Sequence, residues 1–307
     1  MGTLFTISLY ASDKVAAEKT AQAAFQCVAS LDEIMSDYRA DSELMQLCDQ
    51  PFGQPVPVSQ DLFTILQRAQ EVSKLTDGAF DVTIGPFTHL WRFSRKKKTL
   101  PSADQLATAR AAFGWPKLRL DTKARTVTLL APNMRLDLGG IAKGYAADKA
   151  LKVLQSRGIN RALVAASGDI AIGDAPPDQP GWKVGITPID SHTNDTVASL
   201  VLHNAGVSTA GDTEQAIEIN GNRYSHIVDP KTGLGLTNRI QVTIIAPDAT
   251  SSDGWDTGLC VLGAKRALAL VDSLPHVAAV ILTKDEEGTH IFKSRRFDRA
   301  MKRKTAP

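Results

Sequence analysis

Apolar and polar positions alternate along MGTLFTISLY, the period of a half-buried strand. The period then lengthens to one apolar position every three or four residues through KVAAEKTAQAAFQCVASLDEIMS, which predicts a long amphipathic helix. A second helix is predicted over SQDLFTILQRAQEVSKLTDGAF, with Ser59 as its N-cap and Gly78 as its stop, and DVTIGPF after it reads as extended chain. KLRLDTKARTVTLLAPNMRLDLGG carries two alternating strands on either side of a turn at Lys123, the pattern of a hairpin. IAKGYAADKALKVLQSRG is helical up to Gly158, and RALVAASGDIAIGD is a buried strand running into glycines. Strands then dominate: WKVGITPI, ASLVLHNAGVST, QAIEINGNRYSHIVDP and RIQVTIIAP, with Asn220 and Gly221 as a hairpin turn. A last helix after Asp256 and a last strand around VAAVILT complete the pattern.

Hairpin-joined strands interleaved with helices predict an α+β fold with mixed or antiparallel sheets flanked by helices, rather than a doubly wound parallel sheet. No linker-like composition and no internal repeat divides the chain. Residues 1–292 are therefore read as one compact unit and 293–307 as a basic tail. A hydrophobic content of 43% over 307 residues is ample for a core. With 35 basic against 33 acidic residues, net +2, the chain has no overall field that calls for nucleic acid. Its two basic runs, RFSRKKKTLPS and KSRRFDRAMKRK, read as a solvated loop and a frayed terminus. Cys27, Cys48 and Cys260 show no CxxC spacing and are read as packing residues. No stretch reaches the roughly 18 apolar residues of a membrane helix, and the N-terminus lacks a charged-then-apolar export pattern.

Four polar clusters interrupt this pattern. TDGAFDVTIGP places Phe80 and Asp81 at a helix-to-strand turn, either as a plain C-cap and turn or as an edge that holds a planar ring. LDLGGIAKGYAADKA ends a strand in two glycines and opens a helix with Lys143 in its first turn. Its backbone N–H groups suit an anion, and a tight turn with a surface lysine explains the same residues equally well. The spacings of a P-loop and of a dinucleotide-binding GxGxxG are absent. NRYSHIVDPKTGLGL sets His226 in a strand just before a turn at Asp229, Pro230 and Gly233, where a structural histidine is the ordinary expectation and Ser225 and Asp229 make a functional one plausible. SSDGWDTG places Asp253, Asp256 and Thr257 at i, i+3, i+4, on one face of a helical turn. Ser251 or Ser252 would cap that helix, and the all-oxygen set suits Mg²⁺ or Ca²⁺ rather than zinc.

In this order, the segments MGT, MSDYRADSEL, GAFDVTIGPF, LDLGGIAKGYAADKA, SGDI, GVSTAGD, YSHIVDPKTG and SSDGWDTGLCVLG resemble the ApbE family of flavin transferases over nearly the whole chain. The resemblance implies a single ApbE-like, T-fold-related unit that moves FMN from FAD onto a Ser or Thr hydroxyl of an acceptor protein, with Mg²⁺ as cofactor, FAD as substrate and AMP as the leaving product. It further implies that Met1, Tyr38, Ala79, Phe80, Asp81, Lys143 and the backbone at Val228 hold FAD. The carbonyl of Gly140 with Asp253, Asp256 and Thr257 would bind magnesium, and His226 would be the catalytic base.

Three positions depart from the family pattern. Ser167 stands where glycine is more frequent in GGDI, Val82 where proline often follows GAFD, and STAGD where ATSGD is usual. By the same resemblance the protein is expected in the periplasm or otherwise outside the cytoplasm, with membrane association through a lipid-anchored segment outside this chain. Two other readings remain at this point: an Mg-dependent FAD pyrophosphatase that releases FMN and AMP, and a non-catalytic FAD-binding protein. The presence of both aspartates and His226 weighs against the latter.

Overall fold

The computed structural model describes residues 2–189, 198–211 and 216–301. The chain opens with β1 (Phe5–Leu9) and α1 (Lys14–Met35). Asp13 starts α1 by accepting from the N–H groups of Val15 and Ala16, and the helix buries the stripe Thr20, Ala24, Val28, Leu31 and Met35. A short α2 (Glu43–Cys48), capped by Ser42, and β2 (Val56–Pro57) precede α3 (Gln60–Leu75), which Ser59 caps as expected.

The DVTIGPF segment is not extended. A 3₁₀ turn at Val82–Ile84 leads directly into α4 (Gly85–Lys97). Asp81 caps this turn by accepting from Thr83 N at 2.8 Å, and Pro86 falls in the first helical turn, where its missing N–H costs nothing. Arg92 to Lys97 of the basic run are thus helical rather than a loop.

α5 (Ala103–Ala111) follows with a capping box at Ser102 and Gln105. β3 (Leu118–Asp121) and β4 (Thr126–Leu129) form the expected antiparallel pair. After α6 (Ala142–Ser156), the stretch read as one buried strand is a hairpin of β5 (Ala162–Ala166) and β6 (Asp169–Ile172), turned at Ser167 and Gly168. Ser167 has φ 55°, a left-handed conformation that favours glycine and makes sense of the glycine more usual there.

β7 (Trp182–Ile186) pairs with β8 (Ala198–Leu202), and β9 (Ala205–Gly211) follows. β10 (Ile217–Ile219) and β11 (Asn222–Tyr224) form the Asn220–Gly221 hairpin, with φ 53° and 75° at its two turn residues. β12 (Val228–Asp229) pairs with β13 (Leu234–Gly235), then comes β14 (Arg239–Ala246). α7 (Ala249–Ser273) is interrupted at Gly263, where φ is 73°. β15 (Ala278–Asp285), β16 (Gly288–Lys293) and α8 (Phe297–Met301) close the described chain.

Seven strands make one antiparallel sheet in the order β1-β5-β6-β9-β14-β15-β16. Alternation along its strands divides the core. Val242, Ile244, Ala279 and Ile281 pack with α1, α6 and α7 on one side, whereas Ile245, Ala278, Val280 and Leu282 pack under β7, β8 and Phe297 on the other. The architecture is α+β. Residues 293–301 are part of this packing: Phe297 is 1% exposed, and Arg296 donates to the carbonyls of Val271, Asp272 and Val277. A third cluster joins Phe87 and Trp91 of α4 to Ala109 of α5, Ile219, Tyr224 and Val228. No helix of the described residues is long and apolar enough to cross a membrane.

Candidate functional site

The sheet, α4, α6 and α7 enclose a cleft of about 1440 Å³. Tyr38, Ala79, Phe80, Asp81, Gly140, Lys143, His226, Val228, Asp256 and Thr257 all line it, so four clusters that are far apart in sequence converge. Asp253 lies directly behind, bonded to Lys143 and to the backbone of α6. Met1 lies outside the described residues.

α6 and α7 cross unusually closely, and glycine is why they can. A Cβ on Gly144 would come within 2.1 Å of the Ala249 carbonyl oxygen and 2.8 Å of Asp253 Cβ. That contact lets Gly144 N donate to Asp253 Oδ2 at 2.8 Å, so the positive end of α6 meets an internal carboxylate. The two-glycine turn is also partly committed internally, since Gly139 N donates to Asp137 Oδ1 at 2.9 Å. At Gly140 an added Cβ would sit 3.2 Å from both the Phe80 ring and Thr257 Oγ1, which places this turn against the hydroxyl of α7.

α7 begins earlier than its sequence pattern suggested. Asp248 is the N-cap and accepts from Ser251 N at 2.7 Å, while Asp148 of α6 accepts from Ala249 N and Thr250 N. Neither Ser251 nor Ser252 is the cap; both lie inside the helix, where Ser252 Oγ bonds the Ala249 carbonyl and Ser208. The positive end of α7 is satisfied by these two acids rather than by a group in the cleft. Its second and third turns carry Asp253, Asp256 and Thr257 to the site.

Asp253 and Asp256 are each 1% exposed, and they are joined by a third buried carboxylate, Asp169 at the start of β6. One oxygen from each falls within 4.8 Å of the others. Among the described residues the cation bonded to the group is Lys143, which contacts Asp169 and reaches Asp253 Oδ1 at 3.2 Å. Burial raises the Asp253 carboxyl to about 7, aided by Asp169 and opposed by Lys143. Asp256 is likewise raised well above the usual carboxylate range by burial, Asp169 and Asp253. Asp169 Oδ1 has no hydrogen-bond partner among the described residues. Three carboxylates facing one ammonium leave an excess of buried negative charge, and the oxygen donors are of the type hard divalent cations take.

His226 lies in a bend between β11 and β12, not within a strand. Its neighbour Ser225 is held from both sides: Trp91 Nε1 donates to its carbonyl at 2.9 Å, and its own hydroxyl receives Ile227 N at 3.0 Å. Burial, with Arg95 and Lys143 nearby, lowers the imidazole to about 4, so it is neutral at neutral pH. Its Nδ1 is buried without a partner among the described residues. Asp81 is bonded at both oxygens, Oδ1 by Thr83 and Oδ2 by Trp115 N at 2.7 Å, and so shapes the turn under Phe80.

A sequence model of the ApbE family matches residues 1–281. The chain belongs to the ApbE family. It is 34% identical over 303 residues to a Salmonella typhimurium protein named FAD:protein FMN transferase, covering 97% of this chain and 86% of that protein. A Klebsiella pneumoniae protein of the same name is 32% identical over 302 residues, with the same shares of both chains. Among solved structures, the flavin transferase ApbE from Vibrio cholerae aligns with a TM-score of 0.87 at 30% identity, over 97% of this chain and 96% of that one. The apo form of the Pseudomonas stutzeri flavinyl transferase ApbE aligns with a TM-score of 0.86 at 29% identity, over 98% and 94%.

Sequence reasoning missed three residues of this ApbE-family site. Asp169 was present in the SGDI segment, but nothing local ties it to α7. Asp137 and Arg92 also line the cleft, and only the fold shows that they pair.

Proposed function

We infer that the protein is an FAD:protein FMN transferase. The observation that carries the reading is the joining, in one cleft of an ApbE-family chain, of a neutral buried histidine and three buried carboxylates, two of them bonded to one lysine. The cleft exceeds the roughly 300–1,000 Å³ usual for a small ligand, as a dinucleotide and a second reactant require.

The residues fit a magnesium ion. Gly140 through its carbonyl, Asp253, Asp256 and Thr257 would hold it, and the unsatisfied Asp169 oxygen beside them supports a cation at this place. Bound there, Mg²⁺ supplies Lewis-acid stabilisation of charge on the phosphate oxygens. Lys143 offsets further charge, and Tyr38 offers an exposed ring to a planar part of FAD, beside the turn of Ala79 and Phe80 and the backbone of Val228. His226 takes the proton of the acceptor Ser or Thr hydroxyl on a ring nitrogen. The hydroxyl oxygen then bonds to the FMN phosphorus, the bridging P–O bond breaks, and AMP leaves. A positioned base of this kind contributes about 10²–10⁴-fold.

The test is AMP release from FAD and Mg²⁺ with and without an acceptor protein. Release that requires the acceptor supports transfer. Equal release without it, with free FMN appearing, is the pyrophosphatase result and overturns the reading. A location outside the cytoplasm, with membrane association through a segment beyond this chain, belongs to the same proposal and rests on the family resemblance. Fractionation of cells that express the full gene checks it.

A further inference from the structure

α4 presents neighbouring side chains to different parts of the site. Trp91 is buried under the His226 segment, while Arg92 lines the cleft. Arg92 Nη2 is ion-paired with Asp37 Oδ2 at 2.5 Å and with Asp137 Oδ2 at 3.0 Å. The same guanidinium lies 4.2 Å from the centroid of the Tyr38 ring. Three segments distant in sequence therefore meet on one planar group: the loop after α1, α4, and the turn that carries Gly139 and Gly140.

Each contact has a consequence for the site. Tyr38 is 74% exposed, and an exposed ring reorients freely on the picosecond-to-nanosecond scale unless something stacks with it. The guanidinium does so on one face, leaving the ring's other surface for a ligand. Asp137 accepts from Arg92 with one oxygen and from Gly139 N with the other, so the lodged guanidinium also registers the two-glycine turn. Without it, the Asp37 and Asp137 carboxylates, which share one guanidinium nitrogen, would repel each other across the rim. A lysine ammonium could meet these acids but has no planar face to stack beneath a ring.

We propose that Arg92 is a positioning residue for FAD, setting the Tyr38 ring at a fixed distance and angle from the Gly139–Gly140 turn so that the dinucleotide meets both at once. The inference rests on the reading of Tyr38 as an FAD contact. It concerns substrate placement, not the transfer step. Arg92 is partly exposed, and α4 is anchored independently by Phe87 and Trp91, so its substitution leaves the fold in place.

A double-mutant cycle tests it, with the wild type, Arg92→Gln, Tyr38→Ala and the double variant compared by FAD titration and by KM for FAD and kcat of transfer. Arg92→Gln is expected to raise KM for FAD about tenfold while kcat stays within about twofold, with Arg92→Lys in between. In the Tyr38→Ala background the same substitution should add no more than about threefold, because the ring it acts through is gone. The full tenfold cost in that background would overturn the proposal, as would a loss confined to kcat. If Tyr38→Ala weakens FAD binding and Arg92→Gln does not, the positioning role alone fails. If Tyr38→Ala leaves FAD affinity unchanged, the reading of Tyr38 fails and the proposal falls with it. Should Arg92→Gln not fold, Arg92→Lys, which keeps the charge and loses the planar face, carries the same cycle.

Discussion

Asp256→Asn separates what the buried acids cost from what they do. Asparagine has nearly the same shape, and its oxygen can still accept from Thr257 Oγ1, the contact Asp256 Oδ1 makes at 3.1 Å. It removes one charge from a group in which Lys143 bonds only to Asp169 and Asp253. The scale is set by Asp253, whose rise from 3.8 to about 7 corresponds to about 4 kcal/mol at about 1.4 kcal/mol per unit. Relief from removing one of the three charges is a part of that, about 1–3 kcal/mol. Because burial raises the Asp253 carboxyl, the stability it allows is complete below pH 4, where both folded and unfolded forms are protonated, and is lost as pH rises through about 7; Asp256 is raised in the same direction. In a chelator at pH 8, Asp256→Asn should therefore melt above the wild type by about 2–8 °C, and the gap should close towards pH 5.

Magnesium works against this order. At a hundredfold excess over its dissociation constant it should stabilise the wild type by about 2.7 kcal/mol and the variant far less. Thermal melts of both proteins, with chelator and with Mg²⁺, at pH 5 and pH 8, give the comparison. A variant less stable than the wild type in chelator at pH 8, or an equal Mg²⁺ shift in both, would refute the reasoning.

His226→Gln should bind FAD within about threefold of the wild type and lose about 10²–10⁴-fold in transfer rate; loss of FAD binding instead would make His226 a pocket residue. Because the imidazole sits at about 4, the pH–rate profile of transfer should show no histidine limb between pH 6 and 8, and a limb near 6.5 would contradict the burial argument. Gly144→Ala should fail to fold or melt many degrees lower, since its Cβ would meet the Ala249 carbonyl oxygen at 2.1 Å, and a normal melt would show that α6 and α7 can part. Ser167→Gly should keep or raise stability by up to about 1 kcal/mol by relieving the left-handed serine, and thermal denaturation checks the sign.

Periodicity made α1, α3, β14 and the β3–β4 hairpin legible in the chain, because each buries one face against the core and its polar positions keep the register. Ser59 and the Asn220–Gly221 turn were legible for the same local reason, since capping and turn chemistry are decided within a few residues. α4 was not. Its Gly-Pro start reads as a strand end unless the Asp81 cap is already known, and the turn that cap makes is anchored by Trp115, far along the chain. The start of α7 was hidden by its surplus of candidate caps, and the choice went to Asp248 with support from Asp148 on another helix. At the site, the pattern and the family resemblance together nominated Gly140, Lys143, His226, Asp253, Asp256 and Thr257. Asp169 and Arg92 escaped because their partners come from other elements, and no spacing along the chain records such pairs.

The central claim is tested most directly by the intact mass of an acceptor protein after incubation with the enzyme, FAD and Mg²⁺. Transfer predicts an acceptor heavier by FMN less water, with the added mass on a serine or threonine and AMP released in equal amount. An acceptor of unchanged mass, beside free FMN and AMP, would contradict it.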